Sequence, residues 1–235
     1  LQAVTNIFLW KISGQEDVTF GTPVAARRHE DVREMIGMFV NTLAMRGAPS
    51  GNKFFKDFLA ETKEHTLRDF ENQEYPLESL VEKVGVTREA GRNPLFDIMF
   101  ALQNFDITEM EIPGLSLKPV DFDNPSSRFD LEISATEVDD RLVFNVDYNS
   151  ALFKEETVNR MCNFYKTIAR RVAEEPGIRL ADIDILDQTE KEKILEFATG
   201  LHVDFDEEKT VRDLLGERVE KSPDVTAIVM DNRTL

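Results

Sequence analysis

Few side chains in this sequence stand where they could do chemistry together. Three histidines, His29, His65 and His202, lie far apart, and none has a second metal-type ligand at helical or turn spacing. Cys162 falls between apolar residues of a helical pattern, which is typical of a buried, unreactive thiol. The carboxylate pair at 139–140 is typical of a turn. The sequence therefore predicts no metal site and no catalytic residue in this chain.

Four short segments place polar residues inside or beside apolar runs, and they are the candidates for a functional site. An asparagine or threonine in an apolar run must find hydrogen-bond partners, because orphaned buried polar groups are costly. An arginine just past a strand, Arg27, could pair with a carboxylate on another segment. From the residues alone, turn or cap chemistry is the simpler explanation of each segment. The segments are GTPVAAR (21–27), IGMFVNTL (36–43), NQEYPLE (72–78) and GRNPLF (91–96).

Composition bounds the class of protein that holds these segments. Of the 235 residues 41% are hydrophobic and 17 are Phe, enough for a substantial core. The 28 Lys and Arg stand against 45 Asp and Glu, a net charge of −17, which repels phosphate backbones and anionic lipid. No apolar window is long enough to span a bilayer. We therefore expect neither nucleic acid nor a membrane as partner, and the single cysteine suits a cytoplasmic protein.

The first part of the chain predicts four helical stretches and one strand. Apolar spacing indicates a helix over 1–12, a strand over 18–25 and a further helical pattern over 29–39. A long amphipathic helix follows over 53–73, with apolar residues from Phe54 to Phe70 on one face. Pro76 closes that helix, and a shorter one ends at Gly85.

The second part predicts strands and then a helix. Alternating apolar residues indicate strands over 96–102, 129–136 and 142–149, the last two joined by a hairpin turn at Asp139-Asp140. A helix over 154–174 follows. This mixture predicts an α/β core.

The tail has a different character. A helix is expected to start near Asp187 with Thr189 as its N-cap, and residues 199–209 have the polar composition of a linker. A short helix from Thr210 to Val219 and a strand over 227–230 complete it.

The four segments, together with SRFDLEISATE (127–137), resemble in order and spacing the later core motifs of condensation domains of nonribosomal peptide synthetases. The longer forms IGMFVNTLAMR (36–46) and GRNPLFDIMFALQN (91–104) carry the same resemblance, and Ala26 stands where the family usually has glycine before the arginine. Residues 210–235, TVRDLLGERVEKSPDVTAIVMDNRTL, resemble the opening of an adenylation domain.

The resemblance implies a chloramphenicol-acetyltransferase-like α/β sandwich, in which this chain supplies the C-terminal half of the condensation-domain pseudo-dimer. On that basis residues 1–186 are the C-terminal subdomain, 187–209 a linker between condensation and adenylation domains, and 210–235 a truncated adenylation start. The family forms an amide between a carrier-tethered acyl or peptidyl donor and an aminoacyl acceptor.

The same resemblance implies roles for individual residues. The family's catalytic motif, HHxxxDG, is absent from this chain, so the fragment is expected to form one side of the substrate tunnel and to be inactive alone. Arg27 matches the arginine that pairs with the aspartate of that motif. Asn41, Thr42, Arg92 and Asn93 are expected to line the tunnel or brace its floor.

The implied partners are other parts of the synthetase. They are the N-terminal half of the same domain, upstream and downstream peptidyl carrier proteins, and the adjacent adenylation domain. No cofactor is expected to bind this chain directly, because the carrier proteins hold the phosphopantetheine. Two alternatives stay open: an epimerisation or heterocyclisation relative, and a noncatalytic recruitment module on the same scaffold.

Overall fold

A computed structural model gives the structure of the chain. It describes residues 1–87, 91–103, 115, 127–138, 141–200, 209–226, 229–230 and 233–234. The chain divides into two compact units, Leu1–Leu186 and Asp187–Leu235. Over these described ranges, no helix is long and apolar enough to cross a membrane.

The first unit alternates helices and strands. Short 3₁₀ turns also lie at Glu30–Val32 and Leu180–Asp182. Its helices and strands, in chain order, are α1 (Gln2–Ser13), β1 (Val18–Val24), β2 (Asn41–Gly47), α2 (Phe55–Glu71), α3 (Leu77–Val84), β3 (Ile98–Gln103), β4 (Leu131–Val138), β5 (Arg141–Tyr148) and α4 (Glu155–Glu174).

A five-stranded mixed sheet organises this unit, in the order β2-β1-β3-β4-β5. The central pairs β1–β3 and β3–β4 are parallel, and the outer pairs β1–β2 and β4–β5 are antiparallel. Since β1 and β3 run in the same direction, the carboxyl ends of both strands lie at one edge of the sheet. The antiparallel β2 begins at that same edge, where Val24 pairs with Asn41.

The core lies between the sheet and the helices α1, α2 and α4. Helix α1 is buried continuously from Ala3 to Leu9, as expected of a helix enclosed by other elements. The Phe8 and Tyr165 rings, on α1 and α4, meet edge to face at 5.6 Å between centroids. Phe20 and Phe100 meet in the same way at 6.0 Å across β1 and β3.

Most elements predicted from periodicity are confirmed. The helices over 1–12, 53–73 and 154–174 correspond to α1, α2 and α4. The α3 helix ends at Gly85, whose φ of 71° is the left-handed conformation that glycine allows at a helix end. The strands predicted over 18–25, 96–102, 129–136 and 142–149 are β1, β3, β4 and β5. The predicted turn residues Asp139 and Asp140 lie outside the described residues, although Val138 and Arg141 on either side are paired.

The helix expected over 29–39 is wrong. Only a single 3₁₀ turn, Glu30–Val32, forms there, and the chain then runs without regular structure to β2. The carbonyls that a helix would use for its own amides are instead bound by the guanidinium of Arg27. Strand β2 itself escaped sequence prediction, because Asn41, Ala44 and Gly47 are poor strand formers and pairing with β1 decides their conformation.

Two burial expectations need adjustment. On α2 only Phe55 and Phe58 are buried, whereas Leu59 and Phe70 of the predicted apolar face are 45% and 37% exposed. Cys162 is half-buried rather than buried. Burial still raises the pKa of the Cys162 thiol above its ordinary value, which disfavours the nucleophilic thiolate.

The second unit contains two capped helices and a short strand pair. They are α5 (Gln188–Thr199), α6 (Val211–Lys221), β6 (Val229–Met230) and β7 (Arg233–Thr234). The N-cap of α5 is Asp187, whose carboxylate accepts the backbone N–H of Glu190, so the prediction of Thr189 as N-cap is wrong. Thr210 and Asp213 form a reciprocal capping box at the start of α6.

Candidate functional site

The first three polar segments meet at one edge of the sheet. Residues 21–27 end β1, residues 36–43 lead into β2, and residues 72–78 form the turn between α2 and α3. Because β1 and β2 are antiparallel, the end of one lies beside the start of the other. We call this convergence of the three segments the motif cluster.

The side chain of Asn41 links the second segment to the third. Its Nδ2 donates to the carbonyls of Gln73 at 2.8 Å and Tyr75 at 2.9 Å. Its Oδ1 accepts the backbone N–H of Thr42 at 2.9 Å. The amide thus finds the partners that an asparagine in an apolar run requires, and it holds the turn after α2 against the start of β2.

Arg27 lies at the centre of the segment that precedes β2. Its Nη1 donates to the carbonyls of Val32, Arg33 at 3.1 Å and Met35 at 2.7 Å, and its Nη2 donates to Gly37 at 3.1 Å. The guanidinium also faces the Phe39 ring, 4.3 Å from the ring centroid. These partners all belong to residues 32–39, so Arg27 folds this segment around itself. Its pairing with an aspartate from another half of a domain remains a prediction.

Arg28 adds a third link to the motif cluster. Its Nη1 donates to the carbonyl of Glu71 at 2.8 Å. Glu71 is the last residue of α2, where helix carbonyls lack intrahelical partners and the helix dipole favours a cation. Arg28 therefore caps α2 and fixes its carboxyl end beside β1, a contact that the sequence did not reveal.

Thr42 and the fourth segment have different surroundings. Thr42 lies opposite Pro23 in the β1–β2 ladder, inside the motif cluster. Arg92 instead pairs with Asp97 at 2.5 Å, and the Nδ2 of Asn93 lies 3.5 Å from the carbonyl of Arg128.

The fourth segment meets the first through Phe96, whose ring lies where a Cβ on Gly21 would stand, while Arg92 and Asn93 have other partners. Residues 95–98 line a surface cleft together with the end of α1 and the start of β1. That is the edge of the sheet opposite to the one where β1 ends. Arg92 and Asn93 thus lie away from Arg27, Asn41 and Thr42.

A cleft of about 650 Å³ opens beside the motif cluster. Its walls are the start of α1, the carboxyl ends of β1 and β3, and the face of α2 that the core leaves exposed. Leu59 and Phe70 lie here, which explains why the apolar face of α2 is longer than its buried part. Polar groups are scattered along the walls: Thr22, Thr62, Lys63, Thr66 and Gln73.

The titratable groups near the cleft form no catalytic constellation. Within the described ranges, no group of three or more His, Cys, Asp or Glu is placed to hold a metal ion. His29 is exposed, 3.7 Å from Asp31. Burial raises the pKa of the Asp69 carboxyl, and the neighbouring His65 and Arg68 act in the opposite direction, but these three side chains line a separate cleft with Asp17 and Arg46. This end of the sheet offers an apolar cleft with a polar scaffold beside it.

Comparison with protein families decides which scaffold this is. The family model described as "Condensation domain" matches residues 1–195. The chain belongs to the condensation-domain family. The match runs through the first unit and into α5.

The relatives of this condensation-domain chain are large synthases. It is 40% identical over 237 residues to gramicidin S synthase 2 of Brevibacillus brevis and 41% identical over 235 residues to tyrocidine synthase 3 of Brevibacillus parabrevis. Surfactin synthase subunit 1 of Bacillus subtilis (strain 168) is 40% identical. All of this chain is covered in each case, but only 5%, 4% and 6% of these relatives.

Solved structures confirm the α/β fold expected of condensation domains. A four-domain nonribosomal peptide synthetase, holo-AB3403, matches all of the chain with a TM-score of 0.77 and 19% identity, over 19% of its own length. The starter condensation domain of rhizomide synthetase RzmA matches 79% of the chain and 44% of its own, with a TM-score of 0.67 and 22% identity. The X-domain from teicoplanin biosynthesis, in complex with OxyB, matches 80% of the chain and 42% of its own, with a TM-score of 0.68 and 24% identity.

Proposed function

We propose that this chain is the C-terminal, acceptor-side half of a condensation domain in a nonribosomal peptide synthetase, running through a linker into the start of an adenylation domain. The whole domain would join a carrier-tethered acyl or peptidyl donor to an aminoacyl acceptor through an amide bond. The observation that carries the proposal is the match of the chain to less than half of a condensation domain, 44% of the RzmA chain.

The surface of the first unit supports a half-domain. Four apolar side chains before β2 are exposed, by 52% for Met35, 104% for Ile36, 87% for Met38 and 53% for Val40. Contiguous exposed apolar groups of this kind mark surfaces that another protein part covers. The remainder of the same domain is the cover that the proposal requires.

The cleft beside the motif cluster supports the role in the tunnel. A phosphopantetheine arm and its aminoacyl group need a long, largely apolar channel with scattered polar groups. The cleft has both, and the side chains of Asn41 and Arg28 fix the elements that wall it. In this proposal Asn41 and Thr42 brace the wall. Arg92 and Asn93 would line the tunnel at another point or brace its floor, where they contact Asp97 and the carbonyl of Arg128.

The domain boundaries follow from the same proposal. The first compact unit ends at Leu186, the position proposed for the end of the condensation subdomain. Residues 187–209 would link the two domains, with α5 inside the linker. The capped helix α6 and the strand pair after it would open the adenylation domain, and the relatives match this tail as well as the core.

Partners and cofactor follow from the proposed reaction. The chain would bind its own N-terminal half and receive substrates from upstream and downstream carrier proteins. Phosphopantetheine would enter attached to those carriers, so the chain itself needs no bound cofactor. Such a synthetase would work in the cytoplasm.

The proposal is tested by adding the N-terminal half of the domain to this chain. The 235-residue chain is incubated with carrier proteins loaded with donor and acceptor, alone and together with the N-terminal half of the same domain, and amide formation is followed by mass spectrometry. We expect no amide from either part alone and amide from the mixture. As a matched control, an N-terminal half whose second motif histidine is replaced by alanine should bind and give no product. Turnover by this chain alone would refute the proposal.

A recruitment module is the second candidate, because the X-domain that shares this fold was solved in complex with OxyB. If the chain belongs to a recruitment module, the same experiment should have the opposite outcome. The two halves would associate without forming amide, even with an intact histidine motif, and a separate protein would bind the assembled domain.

A further inference from the structure

We infer that Arg27 is a positioning residue that shapes residues 32–39 from within, so that this apolar segment is already formed before any other part of the domain covers it. The role needs no carboxylate partner from another half. It therefore goes beyond the pairing expected of this arginine, and it holds whether or not the proposed function is correct.

Residues 32–39 form few backbone–backbone hydrogen bonds. Among the described residues of this segment outside β2, the N–H of Val32 donates to the carbonyl of His29 at 3.2 Å and the N–H of Arg33 donates to the carbonyl of Glu30 at 3.1 Å, both within the 3₁₀ turn. The carbonyls of residues 33, 35 and 37 bind the guanidinium. One side chain thus supplies the donors that a helix or sheet would supply elsewhere.

Burial excludes the usual alternative, a segment held by its apolar side chains. Ile36 and Met38 are almost fully exposed, at 104% and 87%, so their contacts cannot order the backbone. Phe39 is the aromatic residue of the segment, and its ring packs against the guanidinium of Arg27 at 4.3 Å from the ring centroid. The segment is therefore wrapped around a cation, with its apolar side chains turned outward.

The backbone just before the arginine is shaped for this arrangement. Ala26 has φ of +50°, in the left-handed region that residues with a Cβ rarely adopt. This turn directs the chain away from β1 and places Arg27 beneath the segment that returns to β2. A strained residue persists only where its surroundings require the conformation, and here the requirement is the direction of Arg27.

The chemistry of the partners indicates which substitution separates the roles. Neutral carbonyls spread over residues 32–37 require the planar fork of a guanidinium, and the Phe39 ring requires its flat face. A role confined to a carboxylate on another half of the domain predicts that this side chain has no effect on the segment in the chain alone. Lysine keeps the charge and loses the fork, so Arg27→Lys distinguishes the two.

Backbone ¹⁵N relaxation on the full 235-residue chain is the test. We expect Arg27→Lys and Arg27→Ala to lower the order parameters of residues 33–39 from the value of a rigid backbone, about 0.85, to below about 0.6, while β1 and β2 stay rigid. Arg46→Lys is the matched control, since Arg46 binds Asp17 at the far end of β2, and it should leave the order parameters of residues 33–40 unchanged.

A second variant covers the case in which Arg27→Ala unfolds the sheet. Phe39→Leu removes the stacked ring from an otherwise intact segment, and it should lower the order parameters of residues 33–38 with the sheet still rigid. Wild-type order parameters in Arg27→Lys, or in Phe39→Leu, overturn the inference. No partner half or substrate enters the measurement, so its failure is distinct from a failure of the proposed function.

Discussion

The side-chain amide of Asn41 donates a hydrogen bond to the carbonyl of Tyr75 at 2.9 Å, which ties the first residue of β2 to the turn after α2. Two segments separated by an entire helix are thereby held at one edge of the sheet. The same nitrogen also binds the carbonyl of Gln73, at 2.8 Å. This pair of contacts fixes the wall between the motif cluster and the cleft.

Removing that tie should loosen the turn and destabilise the fold. We expect Asn41→Ala to lower the free energy of unfolding by about 0.5–1.5 kcal/mol, since the part-buried contact to Gln73 and the exposed contact to Tyr75 are both lost. Urea unfolding followed by circular dichroism measures it. Asn72→Ala is the matched control, because Asn72 bonds only within its own helix end, to Arg68. Equal losses in the two variants would contradict a bracing role for Asn41.

The helices and strands of this fold could be predicted from the sequence where apolar residues recur with the period of the element. The 3.6-residue spacing of Val158, Tyr165, Ile168 and Val172 predicts α4, because these residues form the buried face of the helix. The alternation of Leu131, Ile133 and Ala135 predicts β4 for the same reason. Periodicity is sufficient when a whole face is buried.

Residues 29–39 show where periodicity fails. Val32, Met35, Ile36 and Phe39 have helical spacing, yet a cation from outside the pattern binds the carbonyls, and Met35 and Ile36 lie in solvent. Hydrophobic periodicity does not reveal that a neighbouring arginine will bind these carbonyls. The site follows the same principle: Arg27 and Asn41 stand out in the sequence, but their partners are backbone carbonyls, which have no sequence signature.

The left-handed backbone conformation of Ala26 allows a prediction about stability. A left-handed conformation costs a residue with a Cβ about 1–2 kcal/mol, and glycine adopts it freely. Glycine also gives the unfolded chain extra entropy, which offsets about 0.4–1 kcal/mol of the gain. We expect Ala26→Gly to raise the free energy of unfolding by about 0.5–1 kcal/mol, measured by urea unfolding. Ala25→Gly, one residue earlier and without a positive φ, should destabilise instead.

A substitution on the exposed part of α2 can test the proposed tunnel. Leu59 is 45% exposed and lines the cleft, so Leu59→Trp should fill part of it with little change in stability. In the parent synthetase we expect amide formation with a bulky aminoacyl acceptor to fall roughly tenfold, about 1.4 kcal/mol, and less with glycine. Lys56→Trp, on the same helix and outside the cleft lining, should leave both rates unchanged. Adenylation measured in the same protein serves as the internal reference.

Tyr165 makes stability depend on pH in the alkaline range. Burial raises the pKa of this phenol to about 12, and its hydrogen bond with Thr5 acts in the opposite direction. The folded protein therefore holds the phenol proton more tightly than the unfolded chain, whose tyrosine has a pKa near 10. The stabilisation is complete below pH 10 and is lost as the pH rises towards 12, by about 2–3 kcal/mol.

Urea unfolding of wild type and Tyr165→Phe between pH 8 and pH 11.5 measures that loss. The phenylalanine variant should start about 1 kcal/mol less stable, because Thr5 loses this partner. Its stability should then fall less steeply than that of the wild type, so that the difference between the two narrows or reverses. Parallel curves would show that the buried phenol is not what titrates.

Gly47 at the end of β2 leaves room for Asn6 of α1. A Cβ built at Gly47 would lie 2.4–2.6 Å from the side-chain amide atoms of Asn6, closer than any real contact allows. Asn6 is 3% exposed, and within the described residues its Oδ1 has no hydrogen-bond partner. We expect Gly47→Ala to destabilise the fold by about 1–3 kcal/mol through overpacking. Asn6→Ala removes an unsatisfied polar group together with the obstacle, so the Asn6→Ala, Gly47→Ala double variant should recover most of that loss. A double-mutant cycle by urea unfolding tests this, and strict additivity would show that the two positions do not touch.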